Sequence, residues 1–334
     1  MRPLAVAALV AATFACGSSS APSGASTTPC HPMTITSERI NLTATQSPTA
    51  GFKLEAATQP VGLILDRDGA SVWALGNGSN TVIHAGPDGA ATEYQLPASD
   101  LGLQLSQAAD GTVWVPEQYR DAVMALAPDG SARECVLPRK SSEPLSTSVD
   151  AAGTVWVSEA RGQAIAELAG DRWTEHPIGV PGVDGAEVIA ARGGGAWFTV
   201  RGGLFVGHVS SAGQVTRTDI GGSGTTLGLL EAPDGALWVA DFGGDRVVRV
   251  APDGAVTALS TRSGAKPQSF AVAPDGTLWF TESGVDRLAR VSGTQVDDSF
   301  RTGAWPDHMV ITADGWAWFT EYDQNALARV RLSA

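Results

Sequence analysis

The sequence predicts an all-β fold, a seven-bladed β-propeller of four-stranded blades, and three observations predict it. Tryptophans recur at Trp73, Trp114, Trp156, Trp197, Trp238, Trp279 and Trp318, at intervals of 41, 42, 41, 41, 41 and 39 residues. A turn precedes each, and in the clean copies it is Asp-Gly: Asp110-Gly111, Asp234-Gly235, Asp275-Gly276 and Asp314-Gly315. A short β-rich run follows each, as in Trp-Phe-Thr-Glu at 279–282 and again at 318–321. A repeat of about 40 residues with these features is one propeller blade. Composition agrees: 39 glycines and 19 prolines in 334 residues are too many for a helical bundle and follow no collagen period. With 43% hydrophobic against 17% charged residues, the chain can bury a core.

The N-terminus reads as an export signal over residues 1–15. Met1-Arg2 is a minimal basic start, and Leu4 to Ala12 form an apolar run too short to span a bilayer. Cleavage before Cys16 would leave a cysteine for lipidation, as in bacterial lipoproteins; ordinary cleavage after Ala15 is the alternative. Either way the mature chain leaves the cytoplasm, as an envelope lipoprotein or a secreted protein. Gly17 to Pro29 contain only Gly, Ser, Ala, Pro and Thr, so residues 16–51 read as a tether. The propeller is expected over 52–334, with folded structure starting between residues 34 and 52.

Each unit reads as four strands. In the fifth, Thr226–Leu230 is the inner strand, Ala236–Ala240 the second, Arg246–Ala251 the third and Ala255–Ser260 the outer, with turns at Asp234-Gly235 and Asp253-Gly254. Alternation is partial, as expected of strands buried on both sides. The last unit stops after its third strand, and an orphan strand at 52–56 precedes the first. That strand is expected to complete the last blade, giving seven full blades and no exposed edge.

The unit Pro-x-x-x-Val/Ile…Asp-Gly-x-Leu-Trp-Phe-Thr-Glu…Leu-Ala-Arg-Val, at Pro267–Val291 and Pro306–Val330, resembles the repeat of the virginiamycin B (streptogramin) lyases. More distantly it is similar to NHL-repeat and gluconolactonase-type propellers. The resemblance implies a divalent metal, Mg²⁺, and a histidine base that open a cyclic depsipeptide by elimination. Transferred position by position, the family's sixth-blade histidine falls on Gln268 and its Glu-Pro-His on Trp305-Pro306-Asp307. Its metal glutamate falls on Tyr322. His308 and Glu321 each stand one residue from the base and metal positions, and a one-residue slip in a strand reverses the side chain's face.

Five acids stand three residues past a blade tryptophan: Glu117, Glu159, Asp241, Glu282 and Glu321. One reading is an acidic mouth for a cation or cationic ligand, with Glu282 and Glu321 as metal ligands and Asp307 and His308 at the same level. The other is that each acid caps its own loop or pairs with a nearby base, as Asp241 with Arg246 or Glu282 with Arg287. Trp305 and Tyr322 break the repeat near the mouth and could stack on a ligand. His84, His176 and His208 read as surface residues away from the mouth. Cys30 and Cys135 could pair in an oxidising compartment if Cys16 is lipidated. A net charge of −13 without a basic stripe argues against nucleic acid as a partner. Two functions remain. One is a monomeric, anchored module binding a small molecule or peptide at the mouth, touching membrane only through its anchor. The other is a Mg²⁺-dependent lyase, or a related ester- or lactone-cleaving enzyme, with His308 as base.

Overall fold

The computed structural model describes residues 30–45, 50–55, 58–97, 101–222 and 224–332. The expected signal segment, Cys16 and the tether before Cys30 lie outside them. Seven antiparallel sheets follow one another in chain order, each running inner, second, third, outer strand. Helix among the described residues amounts to single 3-10 turns at Gln118–Arg120, Phe242–Gly244 and Ser283–Val285.

The repeat motif explains why. Most Asp-Gly turns are closed by their own aspartate: Asp234 Oδ1 accepts from the Ala236 amide at 3.0 Å and Asp275 Oδ1 from Thr277 at 2.9 Å, while at Asp314-Gly315 the Trp316 amide donates to Thr312 Oγ1 at 2.9 Å instead. The glycine supplies the left-handed backbone such turns need, with φ of 79° at Gly235 and 86° at Gly276. The tryptophans pack across blade interfaces. Trp238 joins Phe270, Leu278 and Phe280 of the sixth blade, and Trp318 joins Leu63 and Val72 of the first. The hydroxyl two residues past the tryptophan reaches the next blade's inner strand. Ser158 donates to Ala186 O at 2.7 Å, Thr199 to Leu227 O at 2.7 Å, and Thr281 to Asp307 O at 2.8 Å. Thr320 donates to Val61 O at 2.8 Å, which ties the last blade to the first.

The outer strand of the last blade is Ala50–Lys53, pairing antiparallel with Ala326–Arg331, with Phe52 opposite Leu327. It lies slightly earlier than the 52–56 expected. The N-terminal segment differs more. Instead of a tether running to residue 51, it forms three short strands that wrap the rim. His31–Met33 pairs with Ala132–Val136 of the second blade, and Thr36–Asn41 with Ala90–Gln95 of the first. Thr43–Thr45 pairs with Ala50–Lys53 of the seventh. These blades therefore have five strands, while the outer strands of blades three to six remain edges, contrary to the fully edge-free ring expected. Cys30 is disulfide-bonded to Cys135, fixing the start of this strap. The sequence hid the strap because an edge strand exposed on both faces carries no alternation, and all but one residue of Thr36–Asn41 are exposed.

His84 and His208 sit on third strands, partly exposed. His176 is not a surface residue: it is 6% exposed, its Nε2 lies 2.8 Å from Glu167 Oε2, and its ring packs near Trp156.

Candidate functional site

The inner strands carry a shared irregularity that builds the axis. In the first and third to seventh blades the pairing with the second strand skips near the strand's start, between Pro306 and Met309 in the seventh and Gly185 and Val188 in the fourth. Such bulges re-aim side chains that a regular strand would turn into the sheet. Here they line an axial cavity with Leu103, Gln104, Glu187, Leu227, Gln268 and His308. The cavity is small, with room for about one water.

The bulge answers the register question for Asp307 and His308. Both are buried, at 5% and 4% exposure, and His308 Nδ1 lies 2.5 Å from Asp307 Oδ1. The backbone N–H of His308 donates to Thr320 Oγ1 at 3.1 Å, fixing the bulge to the second strand. Across the axis stands Glu187, which sequence reasoning missed. Burial raises its pKa to about 7, against the opposing pull of His308's charge. It lines the cavity and is partly buried. Burial alone would lower the pKa of His308; the charge and hydrogen bond of Asp307, with the charge of Glu187, outweigh that and leave it raised. The imidazole thus stands between the side chains of Asp307 and Glu187, both of which favour its charged form.

A signal for Glu187 existed. Gln104, Glu187 and His308 each precede the inner-strand residue opposite the one after the blade tryptophan. The other four blades place Gly62, Ser146, Gly228 and Ser269 there. Three large polar residues among four small ones mark the axis.

The five acids past the tryptophans do not form an open mouth. All are buried at the ends of second strands, beneath the loops that follow. Asp241 Oδ2 receives Arg246 Nε at 2.7 Å, and its Oδ1 accepts from Gly244 N at 3.1 Å. Glu321 Oε1 accepts from Gly303 N at 2.6 Å. Glu117 lies 3.7 Å from Arg120 Nε. Burial pushes Glu117 up to about 7, Glu159 to about 8 and Glu282 to about 7, with Arg262 and Arg287 only partly offsetting the last. The carboxylates of Glu117, Glu159 and Glu282 accept no hydrogen bond within the described structure.

The remaining candidates lie around the axis. Gln268 is buried, and its Oε1 accepts from Ser283 Oγ at 3.0 Å. Trp305 is half-buried with φ of 57°, held by its amide donating to Asp286 Oδ1 and its carbonyl accepting from Tyr322 N. Tyr322 packs against the cluster containing Val61 and Leu101. Among the described residues no three His, Cys, Asp or Glu side chains gather as a metal site. The donors near the family's metal position are committed elsewhere, Asp307 to His308, Glu321 to Gly303 and Gln268 to Ser283, so this residue set does not fit the divalent ion.

The model of the virginiamycin B lyase family matches residues 33–226 and 223–334. The chain belongs to this family. A virginiamycin B lyase from Nocardia farcinica (strain IFM 10152) is 34% identical over 98 residues, 29% of this chain. The matched stretch spans about a third (34%) of that curated relative's length. Virginiamycin B lyase from Staphylococcus aureus superposes with a TM-score of 0.77 at 21% identity, covering 90% of this chain and all of the other. A catalytically inactive variant of the Staphylococcus aureus enzyme, solved with quinupristin, gives the same TM-score at 22% identity, with 90% and 100% covered. A gluconolactonase from Xanthomonas campestris gives 0.50 at 19% identity, covering 69% and 85%. At these identities the structural likeness is one of fold.

Proposed function

We propose that this chain is an exported, lipid-anchored member of the virginiamycin B lyase family that binds a small molecule or peptide at its mouth without cleaving it. The burial of His308 carries this reading. A base that removes a proton must touch the carbon acid. His308 is only 4% exposed, its Nδ1 is engaged by Asp307 Oδ1 at 2.5 Å, and it faces a small axial cavity. The positions to which the family's functional residues transfer hold Gln268, Asp307 and Tyr322, each engaged in internal packing or hydrogen bonds. Export draws support from the signal-like N-terminus and from the Cys30–Cys135 bond, since disulfides persist in oxidising compartments.

The test is incubation of the mature protein with a type B streptogramin, with and without Mg²⁺, followed by chromatography and fragmentation. Elimination opens the ring without changing its mass, so a retention shift with linear fragment ions is the diagnostic. An intact antibiotic at high protein concentration is the expected result. Mg²⁺-dependent opening that disappears in His308→Ala would establish the lyase reading instead. The mass of the native N-terminus checks the anchor: a lipidated Cys16 is expected, and an unmodified one removes that part.

A further inference from the structure

We propose that the mouth carries an anion-recognition clamp built from Phe242, Lys266 and Trp305, and that it takes a carboxylate borne on an aromatic ring. The proposal rests on the binding-module reading and names the ligand class for it. Three successive blades supply the three residues. Lys266 Nζ lies 5.6 Å from the centroid of Phe242 and 5.2 Å from that of Trp305. Its stem crosses Gly284, whose missing side chain leaves room first for Gly264 O, the atom a Cβ would meet most closely, and then for Lys266 Cγ and Cδ at 3.1 Å. The ammonium is thus positioned between two ring faces, and all three residues remain partly exposed.

Two further observations point outward to a ligand. Lys266 forms no ion pair among the described residues, although the protein carries an excess of acids. The neighbouring carboxylates are committed to backbone: Asp245 accepts from the Gly264 and Lys266 amides, and Asp286 from the Trp305 amide. The backbone also holds a strained conformation here. Gln59, Glu143, Lys266 and Trp305 each precede an inner-strand proline with positive φ, between 46° and 57°. A bulky aromatic is the side chain least suited to that region, and strain of this kind gathers where a side chain is displayed for binding. A cation fixed between aromatic faces pairs with an anion, while the faces offer apolar area to a planar group beside it.

The experiment is calorimetric titration of the mature protein with indole-3-acetate, its neutral amide and benzyltrimethylammonium. The acid should bind about tenfold more tightly than the amide, and less tightly as salt rises. Lys266→Gln should erase the acid's advantage, and Trp305→Ala should weaken acid and amide together, both at unchanged melting temperature. If Trp305→Ala proves unfolded, Phe242→Ala substitutes for it. Equal binding of acid and amide, no binding of either, preference for the ammonium compound, or an unchanged advantage in Lys266→Gln would overturn the clamp. Those failures leave the binding-module reading standing, whereas ring opening of a streptogramin would end that reading and leave the clamp to be judged by this titration.

Discussion

The propeller has two unlike halves. Blades seven, one and two contain the seam where chain ends meet, and each receives a fifth strand from the N-terminal strap. Blades three to six are bare four-stranded sheets joined by continuous chain. The repeat is the same in both halves, so the difference teaches what a seam requires. Inside blade seven no peptide bond joins the third strand to the outer strand, and the pairing of Ala50–Lys53 with Ala326–Arg331, backed by the strap and the Cys30–Cys135 bond, substitutes for it.

The largest test removes that substitute. Deleting residues 1–58 takes away strap and outer strand together, including the buried Phe52 and Leu54. No cooperative unfolding transition should remain at ordinary temperatures, because an open last blade exposes both a core face and a strand edge. Deleting residues 1–48 keeps Ala50–Lys53 and should leave a folded ring of lower stability. Identical melting of both truncations and the full chain would mean that the seam needs no help.

Breaking the disulfide is next in size. It closes a separation of 105 residues, for which chain entropy alone allows about 4–5 kcal/mol. The strap can peel while the ring stays folded, so Cys30→Ser should lose roughly 1–3 kcal/mol. Hydrogen exchange should quicken over residues 31–41 and stay slow in blades three to six. Uniform acceleration across all blades would show that the disulfide serves the whole ring.

The bare half has its own vulnerability, in its acids. Glu159, Glu187 and Glu282 lie there, held at about 8, 7 and 7, against Glu117 at about 7 in the strapped half. The folded protein keeps protons that the unfolded chain releases near 4.5. Their contribution is therefore intact below that pH and declines as pH rises through 7 to 8. The raised His308 acts in the same direction. The melting temperature should fall between pH 5 and 8.5, and Glu159→Gln should flatten the fall. A rise over that range would contradict the burial of these carboxyl groups as the dominant influence on them.

The halves also differ in how well the sequence discloses them. Blades were legible because tryptophan, Asp-Gly turn and Trp-Phe-Thr-Glu each do one packing or hydrogen-bonding task at a fixed spacing. The strap was not, since strands such as Thr36–Asn41 gain order from an existing edge and need no apolar face of their own. At the axis, His308 and Asp307 were found but their relation was not. A bulge places adjacent residues together, which a regular two-residue alternation forbids. Glu187 was hidden for a similar reason, because its partner lies three blades away in sequence and meets it only when the ring closes.

The smallest effect is the sharpest test of the comparison. Thr281 and Thr320 do the same chemistry, each donating to a carbonyl of the next blade at 2.8 Å. Thr281 joins blades that the chain itself connects, while Thr320 spans the seam. Each hydroxyl also accepts from a buried amide, Ser269 N at 3.0 Å and His308 N at 3.1 Å, so replacing either by valine keeps the shape but leaves a buried carbonyl and a buried N–H without partners, at a cost of about 1–3 kcal/mol. With the strap in place the two losses should match. In a Cys30→Ser background the Thr320 loss should exceed the Thr281 loss, because the interface it guards has lost its other support and the effects become coupled. Equal losses in both backgrounds, read from denaturant midpoints, would show that strap and hydroxyl act independently and that the seam is held by the outer strand alone.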